Sequence, residues 1–284
     1  MSHSEGSSSH SPSSRGSGSP GTSGLHPFDE PIDELAVFAG LMSSRPVRLT
    51  YAFIGLYIVL FGLSELWGGS DSTQTLSAMG AQFPLRIQLG EYWRLLSATA
   101  LHGGLLHIVL NSYVLYGLGP FLEKLLGWQR FVVLYILAGL AGTLLSTLIA
   151  TGGPLQLSVG ASGCLFGLLG GAAVLAFRDF GLPSQLVQDL RKASLINLGL
   201  NVVASLRPNV DWVAHLGGGL CGALLMLFVI HPKLDEEETR KDQVFAALAG
   251  LCLFALLTSV LVAIWQGQPW QPPPADLSFP SIPQ

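Results

Sequence analysis

The stretch from Ser158 to Ala172 reads SVGASGCLFGLLGGA and sets one polar residue, Ser162, between glycines at the mouth of an apolar run. A serine in that place ordinarily caps a helix. The run behind it carries Gly163, Gly167 and Gly171 on one helix face, a small-residue surface against which a second helix can lie close. Gly218 and Gly222 repeat the pattern in a later apolar run. Two such helices in contact would bring Ser162 near His215, so the stretch poses the question of whether Ser162 is only a cap or also a nucleophile.

The composition says where such helices live. Hydrophobic residues make up 49% of the 284 and charged residues 11%, with a mean hydropathy of +0.50. A water-soluble domain carries about 25% charge, so the chain reads as all-α, a polytopic helical bundle in a lipid bilayer. Nothing in it points to nucleic acid. Cys164, Cys221 and Cys252 all lie in apolar runs and read as packing residues rather than a disulfide framework. Residues 1–44, rich in Ser, Gly and Pro at their start, lack the apolar core of a signal peptide and read as a disordered tail, which leaves insertion to an internal helix.

A membrane span needs about 17–25 residues. The candidates are Leu49–Trp67, Leu105–Leu122, Phe131–Thr151, Ser162–Phe177, Ala193–Leu206, Val213–Ile230 and Val244–Trp265; the fifth is short and carries Asn197 and Asn201. Charge favours counting it. With seven spans and a cytoplasmic N-terminus, eleven of the fourteen Lys and Arg fall on the cytoplasmic side. Residues 45–232 then form a six-helix core, residues 233–266 a cytoplasmic linker and seventh span, and the Pro-rich residues 267–284 an outer tail. A multi-pass chain of this kind suits a bacterial plasma membrane.

That topology sets Ser162, His107, Asn111 and His215 at similar depth near the outer face. Ionisable residues inside a span are costly and mark function, although each of these has a plain reading as a cap, a polar pair or a packing histidine. Together they suit acyl transfer. His215 can take the hydroxyl proton of Ser162. The amide of Asn111, an N–H of His107 and the backbone N–H of Ser162 can meet the oxyanion. Phe166, one turn after Ser162, can brace the His215 ring. Gly160 and Gly163 leave room beside the hydroxyl. Asp211 is a candidate third member, but its place at the helix start reads as a cap.

These residues resemble the rhomboid family of intramembrane serine proteases over roughly Glu91 to Ile230. EYWRLLSATALHGGLLHIVLN is similar to the family's Trp-Arg loop element and His-x-x-x-Asn helix, GASGCLFG to its Gly-x-Ser-Gly, and AHLGGGLCG to its Ala-His-x-x-Gly-x-x-x-Gly. The resemblance implies a Ser162–His215 dyad, an oxyanion hole at His107, Asn111 and Ser162, a six-plus-one helix form, and a first loop held by Trp93 and Arg94. It further implies that Glu123 ties helix ends together and that the substrates are single-span membrane proteins admitted past the fifth helix. Gly103 and Gly104 depart from the family's pattern and predict a looser first turn. No metal or cofactor is implied, and oligomeric state is left open. An inactive relative that binds and escorts membrane proteins, or a transporter, are the alternatives; an H-E-x-x-H motif and a repeated half are both lacking.

Overall fold

The computed structural model describes residues 34–149, 156–205, 207, 210–234 and 240–267. These residues are helical almost throughout, and no strand occurs among them; Gln82 and Ser158 form a single isolated β-bridge. Seven long helices correspond to the seven expected segments: α2 (Leu49–Leu66), α6 (Leu105–Leu126), α7 (Trp128–Ile149), α8 (Ser162–Phe177), α9 (Ser184–Ser205), α10 (Trp212–Phe228) and α11 (Arg240–Gln266). Three short helices, α3 (Thr73–Ala78), α4 (Pro84–Gln88) and α5 (Arg94–Ser97), lie between α2 and α6.

One further helix, α1 (Glu34–Ser44), corrects the expectation of a disordered tail through residue 44. Its sequence ELAVFAGLMSS contains strong helix formers. Phe38 and Met42 pack against the apolar core, which offsets the ordering. Residues 1–33 and 268–284, where the rest of that tail and most of the Pro-rich tail were read, lie outside the described residues.

Four helices, α2, α6, α7 and α11, are long and apolar enough to cross a bilayer. The apolar α8 and α10 are shorter, at 16 and 17 residues. The protein is an integral membrane helical bundle. α9 is longer than the expected Ala193–Leu206. It starts at Ser184, and its first part, SQLVQDLRK, is too polar to register as a span yet has no Gly or Pro to stop a helix.

The centre of the bundle is α8 with α7 and α10 packed on it. Where α8 meets α10 no side chain separates them. A Cβ on Gly218 would fall on the Gly163 backbone, and one on Gly222 on the Gly167 backbone. α9 lies against α8, while α11 covers α7 and α5. Outward-facing Ile58, Val59, Leu148, Phe254 and Leu261 belong to the lipid-covered faces.

Helix ends are satisfied by charge. Glu123, 2% exposed, accepts from the N–H groups of Arg48, Leu49 and Thr50 and from the Thr50 hydroxyl, at 2.7–2.8 Å, and so caps α2. A buried carboxylate suits the positive end of a helix dipole. Arg45 donates to the carbonyls of Lys124 and Lys233, Arg191 to that of Ala176, and Arg178 to that of Leu227. These cations sit at the C-terminal ends of α6, α8 and α10, where the dipole favours them. Beside them Asp242, on α11, pairs with Arg130 at 2.5 Å and Lys233 at 3.3 Å. The bundle therefore has a basic end, and the N-termini of α6, α8 and α10 gather at the other.

Candidate active site

Ser162 is the first residue of α8 and is half-buried. The first N–H groups of a helix have no partner within it, so the N–H of Ser162 points out of the helix start. Gly160 precedes it with φ of +128°, a conformation that glycine adopts without strain. A Cβ on Gly160 would lie 2.7 Å from the His107 ring and 3.5 Å from Asn111 Nδ2. The two α6 side chains, one turn apart, thus close on the backbone immediately before Ser162. Asn111 is 7% exposed, and its Nδ2 has no hydrogen-bond partner. A buried amide donor left unpaired is costly, and this one faces the Ser162 corner.

His215 lies one turn into α10 and is 9% exposed. Its ring stacks on Phe166, with centroids 4.2 Å apart and planes at 13°. Its Nδ1 is 2.6 Å from the hydroxyl of Ser205, the last residue of α9. Among the described residues no hydrogen bond joins Ser162 to His215. The contact between their helices is tight nonetheless, since a Cβ on Gly163 would sit 3.5 Å from the Ala214 carbonyl oxygen. Asp211 is the N-cap of α10: one carboxylate oxygen accepts from the Ala214 N–H at 3.0 Å and the other from the Ser146 hydroxyl at 2.5 Å.

Beside Ser162 is a small cavity lined by Gln82, Thr99, Thr143, Ser158, Gly160 and Ala214, among others. Gln82 reaches across it to the Thr143 carbonyl and the Thr147 hydroxyl. The bridge between Gln82 and Ser158 ties this wall to the segment that leads into α8.

The loop residues lie farther out. Arg94, 3% exposed, donates to the carbonyls of Ser77 and Ala81 at 2.7 and 2.9 Å and pairs with Glu91 at 2.5 Å, so one guanidinium holds α3 and α5 together. The half-buried Trp93 contributes its carbonyl, which accepts from Ser97. Gly218 and Gly222 take no part in the polar cluster and serve the α8–α10 contact. Gly104 is the N-cap of α6 at φ of +88°, and a Cβ there would meet the Asp71 carboxylate at 2.5 Å. The glycine permits a close fit.

Ser205, Gln82 and Ser146 were not found by sequence reasoning. His102, 1% exposed, packs its ring 4.7 Å from Tyr57 and 5.3 Å from His107, edge to face.

The chain is similar to known proteins over this region. The Rhomboid domain model matches residues 89–232. Rhomboid protease GluP of Bacillus subtilis is 35% identical over 229 residues, 80% of this chain and 42% of its own. RHOMBOID-like protein 4 of Arabidopsis thaliana is 39% identical over 166 residues, covering 57% of this chain and 40% of its own, so the chain spans less than half the length of these two relatives. RHOMBOID-like protein 7 of the same plant is 31% identical over 228 residues, covering 73% and 70% of the two chains. With its helices gathered around Ser162 and a family model matched across that core, the chain belongs to the rhomboid family.

Proposed function

We propose that the protein is an intramembrane serine endopeptidase that cuts single-span membrane proteins in or near their transmembrane segments. Ser162 is the nucleophile and His215 its base. The observation that carries this reading is the stack of His215 on Phe166, which keeps the imidazole over the first turn of the helix that Ser162 opens. The protease name of the Bacillus relative supports it.

As Ser162 Oγ attacks the carbonyl carbon, His215 Nε2 takes its proton. The oxyanion is met by the Ser162 N–H, the unpaired Asn111 amide and an N–H of His107. The N-termini of α6, α8 and α10 add a positive field where that charge develops. The imidazolium then protonates the leaving amine. Water next attacks the acyl-serine with His215 again as base, and the small cavity beside Ser162 suits its approach. No metal or cofactor takes part. The basic ends of α6, α8 and α10 favour a cytoplasmic N-terminus and a site toward the outer face, and the Bacillus relative is in keeping with a bacterial plasma membrane.

Labelling of the purified protein with a fluorescent fluorophosphonate tests the reading. Wild type labels, while Ser162→Ala and His215→Ala do not. A folded wild type that resists the probe overturns the assignment in favour of a relative that binds membrane proteins without cutting them.

A further inference from the structure

We propose that Ser205 is a positioning residue for His215: its hydroxyl fixes the imidazole tautomer that leaves Nε2 free to accept a proton. The proposal rests on the Ser162–His215 reading above and adds a third group to it, supplied by α9.

Ser205 Oγ lies 2.6 Å from His215 Nδ1 and 2.7 Å from the carbonyl oxygen of Asn201. A hydroxyl has one proton, and a carbonyl oxygen only accepts. Two oxygens 2.7 Å apart with no proton between them repel, so the Ser205 proton points to Asn201. The hydroxyl oxygen must then accept, and among the described residues the donor at that distance is Nδ1–H. In a neutral imidazole with its proton on Nδ1, Nε2 holds the lone pair. The chain of bonds runs His215 Nδ1–H to Ser205 O–H to Asn201 C=O, and a backbone carbonyl that cannot change its role sets its direction.

Among the described residues no other group is placed to do this. Asp211, from the same helix as His215, has one carboxylate oxygen on the Ala214 N–H and the other on Ser146. Phe166 covers the face of the ring and offers no acceptor in its plane. His107, on α6, is the other titratable group facing the site and lies against Gly160. Ser205 is itself 7% exposed, so water does not compete freely for the bond. When His215 takes the proton of Ser162, Nδ1–H keeps its acceptor and the bond becomes charge-assisted. A hydroxyl thus does here, without a formal charge, what a carboxylate does for the histidine of a serine triad. The bond also crosses from α9 to α10, so His215 is held in this state only while the end of α9 stays docked.

The test uses the full chain in detergent or nanodiscs. Ser205→Ala lowers the maximal rate of fluorophosphonate labelling by about tenfold or more, short of the roughly 10⁴-fold seen when a triad carboxylate loses its role, with little change in the probe concentration for half-maximal rate. Ser205→Thr restores most of the rate because it keeps a hydroxyl. Nitrogen-15 spectra of histidine-labelled wild type show His215 protonated at Nδ1 and bare at Nε2 near neutral pH; in Ser205→Ala the two nitrogens move toward an average. Wild-type rate and spectrum in Ser205→Ala overturn this proposal and leave the dyad standing. A folded wild type that never labels overturns the dyad, and this proposal with it. If Ser205→Ala does not fold, the wild-type spectrum decides alone: a proton on Nε2 refutes the inference.

Discussion

The ring of His215 lies flat on that of Phe166, centroids 4.2 Å apart, so α10 presents its histidine to α8 across an aromatic face rather than through a polar partner. The stack fixes the tilt of the imidazole and leaves the ring edge to the nitrogens, where Nδ1 meets the Ser205 hydroxyl. Replacing Phe166 by Leu keeps apolar volume but removes the flat face. Fluorophosphonate labelling of Phe166→Leu is expected to slow by about tenfold with thermal stability within about 1.5 kcal/mol of wild type. Unchanged labelling would show that the stack is packing alone.

Asn111 presents a buried amide without a partner beside Gly160, two residues before Ser162. Asn111→Ala removes that donor and leaves no acceptor stranded. Its turnover of a membrane-protein substrate is expected to fall by about 10²–10³-fold, the usual loss for one oxyanion donor, with stability unchanged or raised. A rate within threefold of wild type would remove Asn111 from the mechanism.

Gly218 and Gly222 touch the backbone of α8 directly. A methyl at either position cannot be absorbed by a rotamer change, because the opposing atoms belong to a helix backbone. Gly218→Ala and Gly222→Ala are each expected to destabilise by about 1–3 kcal/mol, read as a lowered thermal midpoint in detergent. Gly199→Ala, where a Cβ meets nothing within 4 Å, is the control and leaves the midpoint in place.

His102 lies in the segment before α6, and burial, reinforced by neighbouring His107, pulls it down to about 3 from the ordinary 6.5. The unfolded chain therefore takes up the proton first as pH falls. Stability contributed by the neutral ring is complete above about 6.5 and is lost as the pH drops from there toward 3. The loss approaches about 1.4 kcal/mol per pH unit. Thermal midpoints of wild type and His102→Gln should diverge in slope between pH 6.5 and 4, with the variant the less acid-sensitive. Parallel slopes would mean that His102 is not the titrating group.

Much of this bundle was legible because hydropathy and spacing are local. Ser162 begins α8 where a polar residue meets an apolar run, and His107 and Asn111 share a face because they are four residues apart. The first part of α9, Ser184–Lys192, escaped because its polar residues hide a helix from hydropathy, and α1 because a helix of 11 residues follows a long polar tail. Ser205 escaped for a different reason. A serine near a helix end carries no local sign of which histidine it will meet; only the packing of α9 beside α10 determines that. The same holds for Gln82, whose partners Thr143 and Thr147 lie more than 60 residues along the chain.

The cap on α2 has a consequence for the order of events at the ribosome. Its carboxylate, Glu123, is 75 residues downstream of Arg48, the first of the N–H groups that it receives. Arg45, just before α2, waits longer still, since one of its carbonyl partners, Lys233, follows 188 residues later. Chains emerge N-terminus first, so α2 is made with its leading end unsatisfied and is secured only when α6 has been completed. The first long helix to be synthesised is thus capped only after the second is made, and a nascent chain stalled before Glu123 would hold α2 in the membrane without its anchor.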